Sequence, residues 1–217
     1  MTPDDAAPDS PRLGEAEQSR IRRLRHHGDR VRSAGARLLL KAMLQQHFGV
    51  EPGSAELVAV SRTAKPVLHI DGSPSMLRAN VAHAGHLVVA AVTVGREVGV
   101  DVESVPATDF PDFDAVALSH EERRAVRSLP PELRGTARAD YWVRKEAYVK
   151  ATGCGLAVDP RTLSFEGSLA SLPMACFRPR PGYVAAVCVP GARSLALSYV
   201  VSEPGLAPPT GQPWVFR

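Results

Sequence analysis

The sequence has few cysteines and no long apolar run. Its three cysteines, Cys154, Cys176 and Cys188, are an odd number without CxxC spacing, which predicts neither a disulfide framework nor a zinc site. No apolar stretch approaches the length of a membrane span. The N-terminal segment MTPDDAAPDSPRLGE is acidic and proline-rich, whereas a secretory signal is basic and then apolar. We therefore expect a soluble, cytoplasmic protein without a membrane partner.

Aromatic residues and net charge are also low. Aromatic residues make up 6% of the chain and are not interleaved with its basic residues, which argues against a nucleic-acid partner. The formal net charge of +3 favours anionic partners only weakly. The 217 residues, 44% of them hydrophobic, suffice for one large domain or two small ones with real cores.

The pattern along the chain predicts a disordered leader and two halves. Residues 1–14 are rich in proline and aspartate, residues 15–105 form the N-terminal half, and residues 106–217 form the C-terminal half. GHLVVAAVTVGREVGVDVE and GYVAAVCVPGARSLALSYV repeat one pattern of glycine, apolar strand, turn and second strand. We expect an α/β (α+β) protein with two pseudo-symmetric halves, and the cleft between them as the place for a ligand.

Local signals place the main elements of each half. A broad apolar stripe ending at Gly49 predicts a long helix before the first strands. The turn GRE after GHLVVAAVTV predicts a hairpin into VGVDVE. In SHEE, Ser119 and Glu122 have the spacing of a capping box, Pro130-Pro131 interrupts that helix, and Gly153 can close the next one. LSFEG, CFRPR, GYVAAVCVPG and SLALSYVV are expected to be strands.

Two carboxylates stand out on the strand VGVDVESVP. Side chains alternate along a strand, so Asp101 and Glu103 share one face while Val100 and Val102 share the other. A solvent-facing edge strand would explain this pattern simply. However, acidic residues are poor strand formers and no basic residue follows within the strand. A hard divalent cation such as Mg²⁺ would remove the repulsion between the two carboxylates.

A third carboxylate is available on the helix WVRKEAYVKATG. Trp142, Glu146 and Lys150 are spaced four residues apart and occupy one helical face. An exposed Glu–Lys ion pair is the simpler interpretation. Because the tryptophan indicates a partly covered face, Glu146 is our candidate third metal ligand, with an anionic phosphate between the metal and Lys150.

Other cationic and polar groups precede the strand. Lys65 occurs in TAKP, His83 in NVAHAG, and Arg32-Ser33 on the first long helix. His83 could equally be a structural histidine, and the arginine-rich run from Arg20 to Arg37 could be a solvated helix face.

In this order, these motifs resemble the Sfp-type 4′-phosphopantetheinyl transferases from about residue 20 to 190. GVDVE at 99–103 and WVRKEAYVKATGCGL at 142–156 are similar to the family's two signatures, at the expected separation. NVAHAG at 80–85 and AKP at 64–66 match two shorter family motifs. The resemblance implies a Mg²⁺-dependent enzyme that transfers the 4′-phosphopantetheine arm of coenzyme A to a serine of an apo carrier protein and releases 3′,5′-ADP. Because the metal identity is inferred from ligand hardness alone, Mn²⁺ could replace Mg²⁺ in vitro.

The resemblance also implies roles for single residues. Asp101, Glu103 and Glu146 match the metal ligands. Lys150 and His83 match pyrophosphate contacts, and Lys65, Arg32 and Ser33 match the 3′-phosphate and nucleotide end. Glu146 is the candidate general base for the serine hydroxyl, and Lys145 is a second candidate for proton transfer.

Some features depart from the family or stay open. Ala82 and Ala84 replace two serines that flank the family histidine, which puts coenzyme A affinity in doubt. We expect a monomer and an acidic acyl or peptidyl carrier, of polyketide, nonribosomal-peptide or fatty-acid type, docking by salt-sensitive contacts. Candidate contacts are the arginine-rich first helix and Arg123, Arg124 and Arg127. The alternatives are a metal-dependent phosphodiesterase or nuclease and a non-catalytic binding relative.

Overall fold

The computed structural model describes residues 8–59, 64–108 and 110–192, which mix helices with antiparallel sheets. The predicted α/β class is confirmed. Contacts group the described residues into two compact units, which divide after Arg96. The predicted boundary after residue 105 lies inside the second unit, because the strand GVDVE packs with the C-terminal elements. Within the described part of the chain, no helix combines the length and apolarity that a membrane crossing requires.

The first unit packs one long helix against two small sheets. Its elements are α1 (Glu15–Arg22), α2 (His27–Phe48), β1 (Ala55–Val58), β2 (Val67–Ile70), β3 (Ser73–Pro74), β4 (Leu77–Ala84) and β5 (Leu87–Val94). Strands β1, β2 and β3 form one antiparallel sheet, and β4 and β5 form a separate antiparallel pair. The apolar stripe of α2 supplies Leu40 and Leu44 to a core with Leu57 and Leu68. As predicted, Gly49 ends this helix in the left-handed conformation.

The predicted leader lies partly outside the described residues. Residues 8–14 form turns before α1. Leu13 is buried in a cluster with Ile21, Ala34 and Leu38, which joins this segment to α1 and α2.

The second unit packs a long helix against a three-stranded sheet. Its elements are β6 (Gly99–Ser104), α3 (Phe113–Ala117), α4 (His120–Ser128), α5 (Pro131–Thr152), β7 (Met174–Phe177) and β8 (Tyr183–Cys188). The antiparallel strand order is β6-β8-β7. The small residues Ala147 and Ala151 of α5 form a core with Val184 and Ala186 of β8, which lets the helix lie close to the sheet.

The helix signals of the second half are confirmed. Ser119 and Glu122 form the capping box of α4, with the Ser119 hydroxyl accepting from the Glu122 amide. Pro131 occupies the first turn of α5, where a missing amide hydrogen costs nothing. Gly153 ends α5 in the left-handed conformation.

The predicted hairpin between β5 and β6 is wrong. Strand β5 pairs with β4 across the turn at Gly85, which has a positive φ of 53°. Strand β6 pairs instead with β8, so that Asp101 lies opposite Ala186. A strand as apolar as β6 needs cover on its faces, and α5 supplies it from the same unit.

Two further strand predictions need correction. LSFEG forms turns, and its Phe165 amide donates to the Glu122 carboxylate rather than to a neighbouring strand. Within CFRPR the strand ends at Phe177. The segment SLALSYVV lies outside the described residues, as does the second strand of the predicted repeat. The predicted pseudo-symmetry of the two halves stays a prediction.

Candidate functional site

Strand β6 carries the two predicted carboxylates on the face that α5 covers. A Cβ added to Gly99 would lie 2.0 Å from the Ala147 carbonyl oxygen and 2.4 Å from the Ala151 amide nitrogen, so Gly99 faces the backbone of α5. Side chains two residues apart on a strand share a face, which turns Asp101 and Glu103 towards the same helix. Only glycine allows the helix backbone to approach the strand this closely.

Burial excludes the solvent-facing interpretation for Asp101. Its exposed fraction is 7%, and Val100 and Val102 beside it are each 2% exposed. Glu103, nearer the end of the strand, is half-buried. The strand therefore holds one carboxylate inside the unit and one at its margin.

Lys150 on α5 contacts the buried carboxylate directly. Its Nζ lies 2.6 Å from Asp101 Oδ1, and the Lys150 side chain is 29% exposed. Burial raises the pKa of Asp101 to about 6; Lys150 acts against this rise, while the nearby carboxylates of Glu146 and Glu103 add to it. Burial also raises the pKa of Glu103, helped by Glu146 and opposed by a hydrogen bond from the Ser104 amide and by Lys150.

The predicted face of α5 is thus partly covered. Trp142 packs edge-on against Phe113 of α3, with the two ring centroids 5.9 Å apart. One turn later Glu146 is half-buried and acts electrostatically on both β6 carboxylates. The structure therefore brings Asp101, Glu103, Glu146 and Lys150 together within the second unit.

The donor set suits a divalent cation, although the side chains are not arranged around one. Three carboxylates face a single ammonium here, and this excess of negative charge on hard oxygen atoms is what Mg²⁺ prefers. Within the described residues, however, no three His, Cys, Asp or Glu side chains are placed as a metal-binding cluster. In these side-chain positions, the Lys150 ammonium contacts Asp101.

Lys145 is buried, and its ammonium group is held by three partners. Its side chain is 1% exposed, and Nζ lies 2.6 Å from Glu122 Oε2. Nζ also donates to the carbonyl oxygens of Ala117 and Pro160, both at 2.8 Å. Because an ammonium has three hydrogens, this geometry occupies all of them away from solvent. The predicted role of Lys145 in proton transfer stays a prediction, and these contacts are what it would have to give up.

The residues predicted for the nucleotide end all lie in the first unit. Arg32 donates to Asp29 Oδ1 at 2.5 Å and to the Gly85 carbonyl oxygen at 3.4 Å, which brings it beside the end of β4 that carries His83. The Ser33 hydroxyl accepts from Arg37 at 2.6 Å. His83 is exposed on β4, and Lys65 is half-buried just before β2.

The two alanines beside His83 face the core. Ala82 is 6% exposed and Ala84 is 8% exposed, whereas His83 between them is exposed. A serine hydroxyl at either alanine position would therefore point into the unit, away from a ligand bound at His83. Because both positions face the core, the replacement of serine by alanine there gives less reason to expect a reduced affinity for coenzyme A.

Sequence reasoning missed three supporting residues. Glu122 was recognised only as a capping residue, although it is 0% exposed and is the partner of Lys145. Gly99 was noted only as part of the GVDVE motif, and its close approach to the backbone of α5 was not predicted. Arg37, which donates to the Ser33 hydroxyl, was named only as the end of an arginine-rich run, although its four-residue spacing from that serine places the two on one helical face.

Comparisons with known proteins agree with these motifs. Residues 97–197 match the model of the 4′-phosphopantetheinyl transferase superfamily. Residues 10–95 match the model described as 4′-phosphopantetheinyl transferase, N-terminal. The two matches meet where the two structural units divide.

Curated relatives include bacterial, fungal and animal proteins. The 4′-phosphopantetheinyl transferase HetI of Nostoc sp. is 34% identical over 146 residues, which are 67% of this chain and 61% of the relative. The 4′-phosphopantetheinyl transferase pptA of Paxillus involutus is 31% identical, with 72% of this chain and 65% of the relative covered.

The L-aminoadipate-semialdehyde dehydrogenase-phosphopantetheinyl transferase of Xenopus laevis is 27% identical, with 70% of this chain and 53% of the relative covered. In each case the match spans less than two thirds of the relative's own length. With both structural units matched and the β6 and α5 motifs in contact, the chain belongs to the 4′-phosphopantetheinyl transferase superfamily.

Proposed function

We propose that this protein transfers the 4′-phosphopantetheine arm of coenzyme A to a serine of an apo carrier protein and releases 3′,5′-ADP. The observation that carries the proposal is the contact between the two signature elements. Lys150 of α5 meets Asp101 of β6, with Glu146 and Glu103 close enough to raise the pKa of that carboxyl. This places acidic and basic groups together, as transfer of a multiply charged phosphate group requires.

Asp101, Glu103 and Glu146 are the proposed ligands of a Mg²⁺ ion, with Mn²⁺ as a substitute in vitro. When bound, the cation neutralises negative charge on the pyrophosphate and on the leaving ADP. The cation and the Lys150 ammonium would compete for Asp101. Lys150 has a partly exposed side chain, so it can turn from Asp101 to a phosphate oxygen.

The proposed role of Glu146 is to accept the proton of the carrier serine. The serine oxygen then attacks the phosphorus that bears the pantetheine arm. A new oxygen–phosphorus bond forms, and the bond from that phosphorus to the oxygen of 3′,5′-ADP breaks, with its electron pair leaving on ADP. Glu146 is half-buried on the face of α5 next to Lys150, where a carboxylate can reach both solvent and substrate.

The first unit supplies the proposed contacts to the rest of coenzyme A. His83 is assigned to the pyrophosphate, and Arg32, Ser33 and Lys65 to the 3′-phosphate and nucleotide end. Arg32 lies beside Gly85, just after His83, which supports a shared anion-binding surface. The guanidinium group of Arg32 suits bidentate recognition of phosphate.

Intact-protein mass spectrometry tests the proposal directly. A purified apo carrier protein is incubated with coenzyme A, Mg²⁺ and this protein, and the expected result is a gain of one phosphopantetheine group. EDTA and Glu146→Gln should each abolish the gain. Glu132→Gln is a matched control, because Glu132 is an exposed carboxylate on the same helix, and it should react like the wild type.

Two outcomes would contradict the proposal. Coenzyme A binding without transfer to several acyl and peptidyl carriers would indicate a non-catalytic relative. If coenzyme A did not bind, the assigned substrate would be wrong, and cleavage of DNA without coenzyme A would be assayed next.

A further inference from the structure

The buried ion pair between Lys145 and Glu122 connects several elements of the second unit. Lys145 lies on α5 and donates to the carbonyl oxygen of Ala117 at the end of α3 and to that of Pro160 at the start of a short 3-10 helix. Glu122 lies in the first turn of α4. One ammonium therefore joins α5 to three other segments.

Glu122 uses both of its oxygen atoms. Oε2 lies 2.6 Å from Lys145 Nζ and accepts from the Ser119 amide at 2.9 Å, while Oε1 accepts from the Phe165 amide at 3.1 Å. The two charges are 1% and 0% exposed. The pair is thus completely buried and fully hydrogen-bonded, as a buried pair must be to persist.

Stability alone does not explain such a pair. Well-packed apolar residues of similar volume are often as stabilising as a buried ion pair, or more so. The ion pair differs from an apolar contact in that its hydrogen bonds have directions. Four directional bonds to backbone groups, besides the ion pair itself, fix the rotation and position of α5 at Lys145.

The position of Lys145 on α5 connects the ion pair to the carboxylate site. Lys145 directly precedes Glu146, and Ala147 directly follows it and meets Gly99 of β6 through its carbonyl oxygen. The residues on both sides of Glu146 are therefore anchored, one to α4 and one to β6. Neither anchor involves the Glu146 side chain.

We propose that Lys145 and Glu122 are positioning residues, whose buried ion pair fixes the turn of α5 that presents Glu146 and Lys150 to β6; their effect on catalysis depends on the function proposed above. The Lys145 ammonium is held by Glu122 and by the carbonyl oxygens of Ala117 and Pro160. It acts through the backbone of its neighbour.

The test removes both charges together, because a single substitution leaves an unpaired buried charge and the chain can fail to fold. Glu122→Gln/Lys145→Met keeps the volume and leaves a neutral interior. The matched control is Asp140→Asn. It removes an ion pair nearer the surface, in which Asp140 Oδ2 of α5 lies 2.6 Å from Nη2 of Arg178, the residue after β7. Circular dichroism establishes that each variant is folded at the assay temperature.

Three readouts follow on folded protein. Hydrogen exchange of the amides in residues 143–150 should be faster in the double variant than in the wild type and in Asp140→Asn. Mn²⁺ affinity, measured by calorimetry, should fall about tenfold, as expected when a group that orients metal ligands is removed. The rate of phosphopantetheine transfer should fall by about the same factor, and the control should match the wild type in all three readouts.

Several outcomes would overturn the inference. A folded double variant with wild-type exchange and Mn²⁺ affinity would show that the pair only stabilises the unit. If the double variant kept both properties but lost one limb of the pH–rate profile, Lys145 would be a proton donor. If the wild type bound no Mn²⁺ and transferred nothing, the proposed function would fail, while the exchange comparison would still decide whether the pair orders α5.

Discussion

Asp101 is a carboxylate placed where its charge is unfavourable. It is 7% exposed on a strand covered by α5, and burial together with Glu146 and Glu103 outweighs its ion pair with Lys150 in setting its pKa. A buried carboxylate that lowers the stability of the fold is typical of a functional site. A cation held by the three carboxylates would neutralise their charge and remove this destabilising effect.

We therefore expect Asp101→Asn to stabilise the metal-free protein while abolishing transfer. The folded-state pKa of about 6 lies above the usual value of 3.8, so the folded state favours the protonated carboxyl. The unfolding free energy of the wild type therefore falls as pH rises from 3.8 to about 6. The variant should gain up to about 3 kcal/mol in unfolding free energy at pH 7, and the gain should vanish below pH 4.

Chemical denaturation with EDTA present, at several pH values, measures this gain. Glu103→Gln provides a graded comparison, since Glu103 is only half-buried and should gain less. An Asp101→Asn protein that is less stable than the wild type at pH 7 would show that the ion pair with Lys150 outweighs the burial of the carboxylate.

The crossing of α5 over β6 is the contact that assembles the site. The strand contributes Gly99, and the helix contributes small residues such as Ala147 and Ala151, each at most 1% exposed. Without large side chains between the two backbones, Asp101 of β6 comes within contact distance of Lys150 on α5. The glycine of GVDVE thus has a packing role that is separate from the chemistry of its neighbours.

Gly99→Ala should displace α5 and weaken the site. The added Cβ would lie far inside contact distance of backbone atoms, which cannot move as a side chain end can, and overpacking of this kind costs about 1–3 kcal/mol or more. We expect lower unfolding free energy and lower transfer activity, measured by denaturation and by the mass assay.

Gly53→Ala is the control for this substitution. A Cβ at Gly53 would meet nothing within 4 Å, and this glycine has no positive φ. It should retain the activity and stability of the wild type. Normal activity in Gly99→Ala would mean that α5 does not need its close approach to β6.

The capping box of α4 gives a prediction about stability without a direct effect on chemistry. The Ser119 hydroxyl accepts from the Glu122 amide at 3.2 Å, so Ser119→Ala should lower the unfolding free energy by about 1 kcal/mol. Ser128→Ala removes an exposed hydroxyl at the other end of α4 and should change stability less. Guanidinium denaturation compares the two, and equal losses would show that the cap contributes nothing specific.

The sequence predicted elements whose signals are local and missed contacts between distant segments. The end of α2 at Gly49 and the capping box at Ser119 could be predicted because a few adjacent residues determine each one. The pairing of β6 with β8 could not, since a turn after β5 favours a hairpin locally and the partner strand comes much later in the chain.

The candidate site follows the same division. Asp101, Glu103, Glu146 and Lys150 were identified by motif and helical spacing, and the structure brings them together. The buried contacts of Lys145 could not be predicted, because helical spacing says which residues share a face and not what covers that face. Its partner Glu122 comes from another helix, and no pattern in the sequence links the two.

The proposed carrier interface depends on surface charge, which belongs to the whole molecule. Two sets of arginines are available: Arg23 and Arg25 are exposed after α1, and Arg124 and Arg127 are exposed on α4. An acidic carrier would be attracted by either set through contacts that salt screens over about 8 Å at physiological ionic strength. KM for the carrier should therefore rise with NaCl, while KM for coenzyme A should change less.

Charge reversal distinguishes the two sets. Arg124→Glu/Arg127→Glu or Arg23→Glu/Arg25→Glu should raise KM for the carrier about tenfold at low salt, with kcat unchanged because none of these residues contacts the carboxylates. The pair of substitutions that has this effect identifies the docking surface, and its effect should disappear at high salt. If KM for the carrier were independent of salt and of both reversals, docking would be apolar, and the exposed side chains of Phe110 and Val116 would be the next residues to substitute.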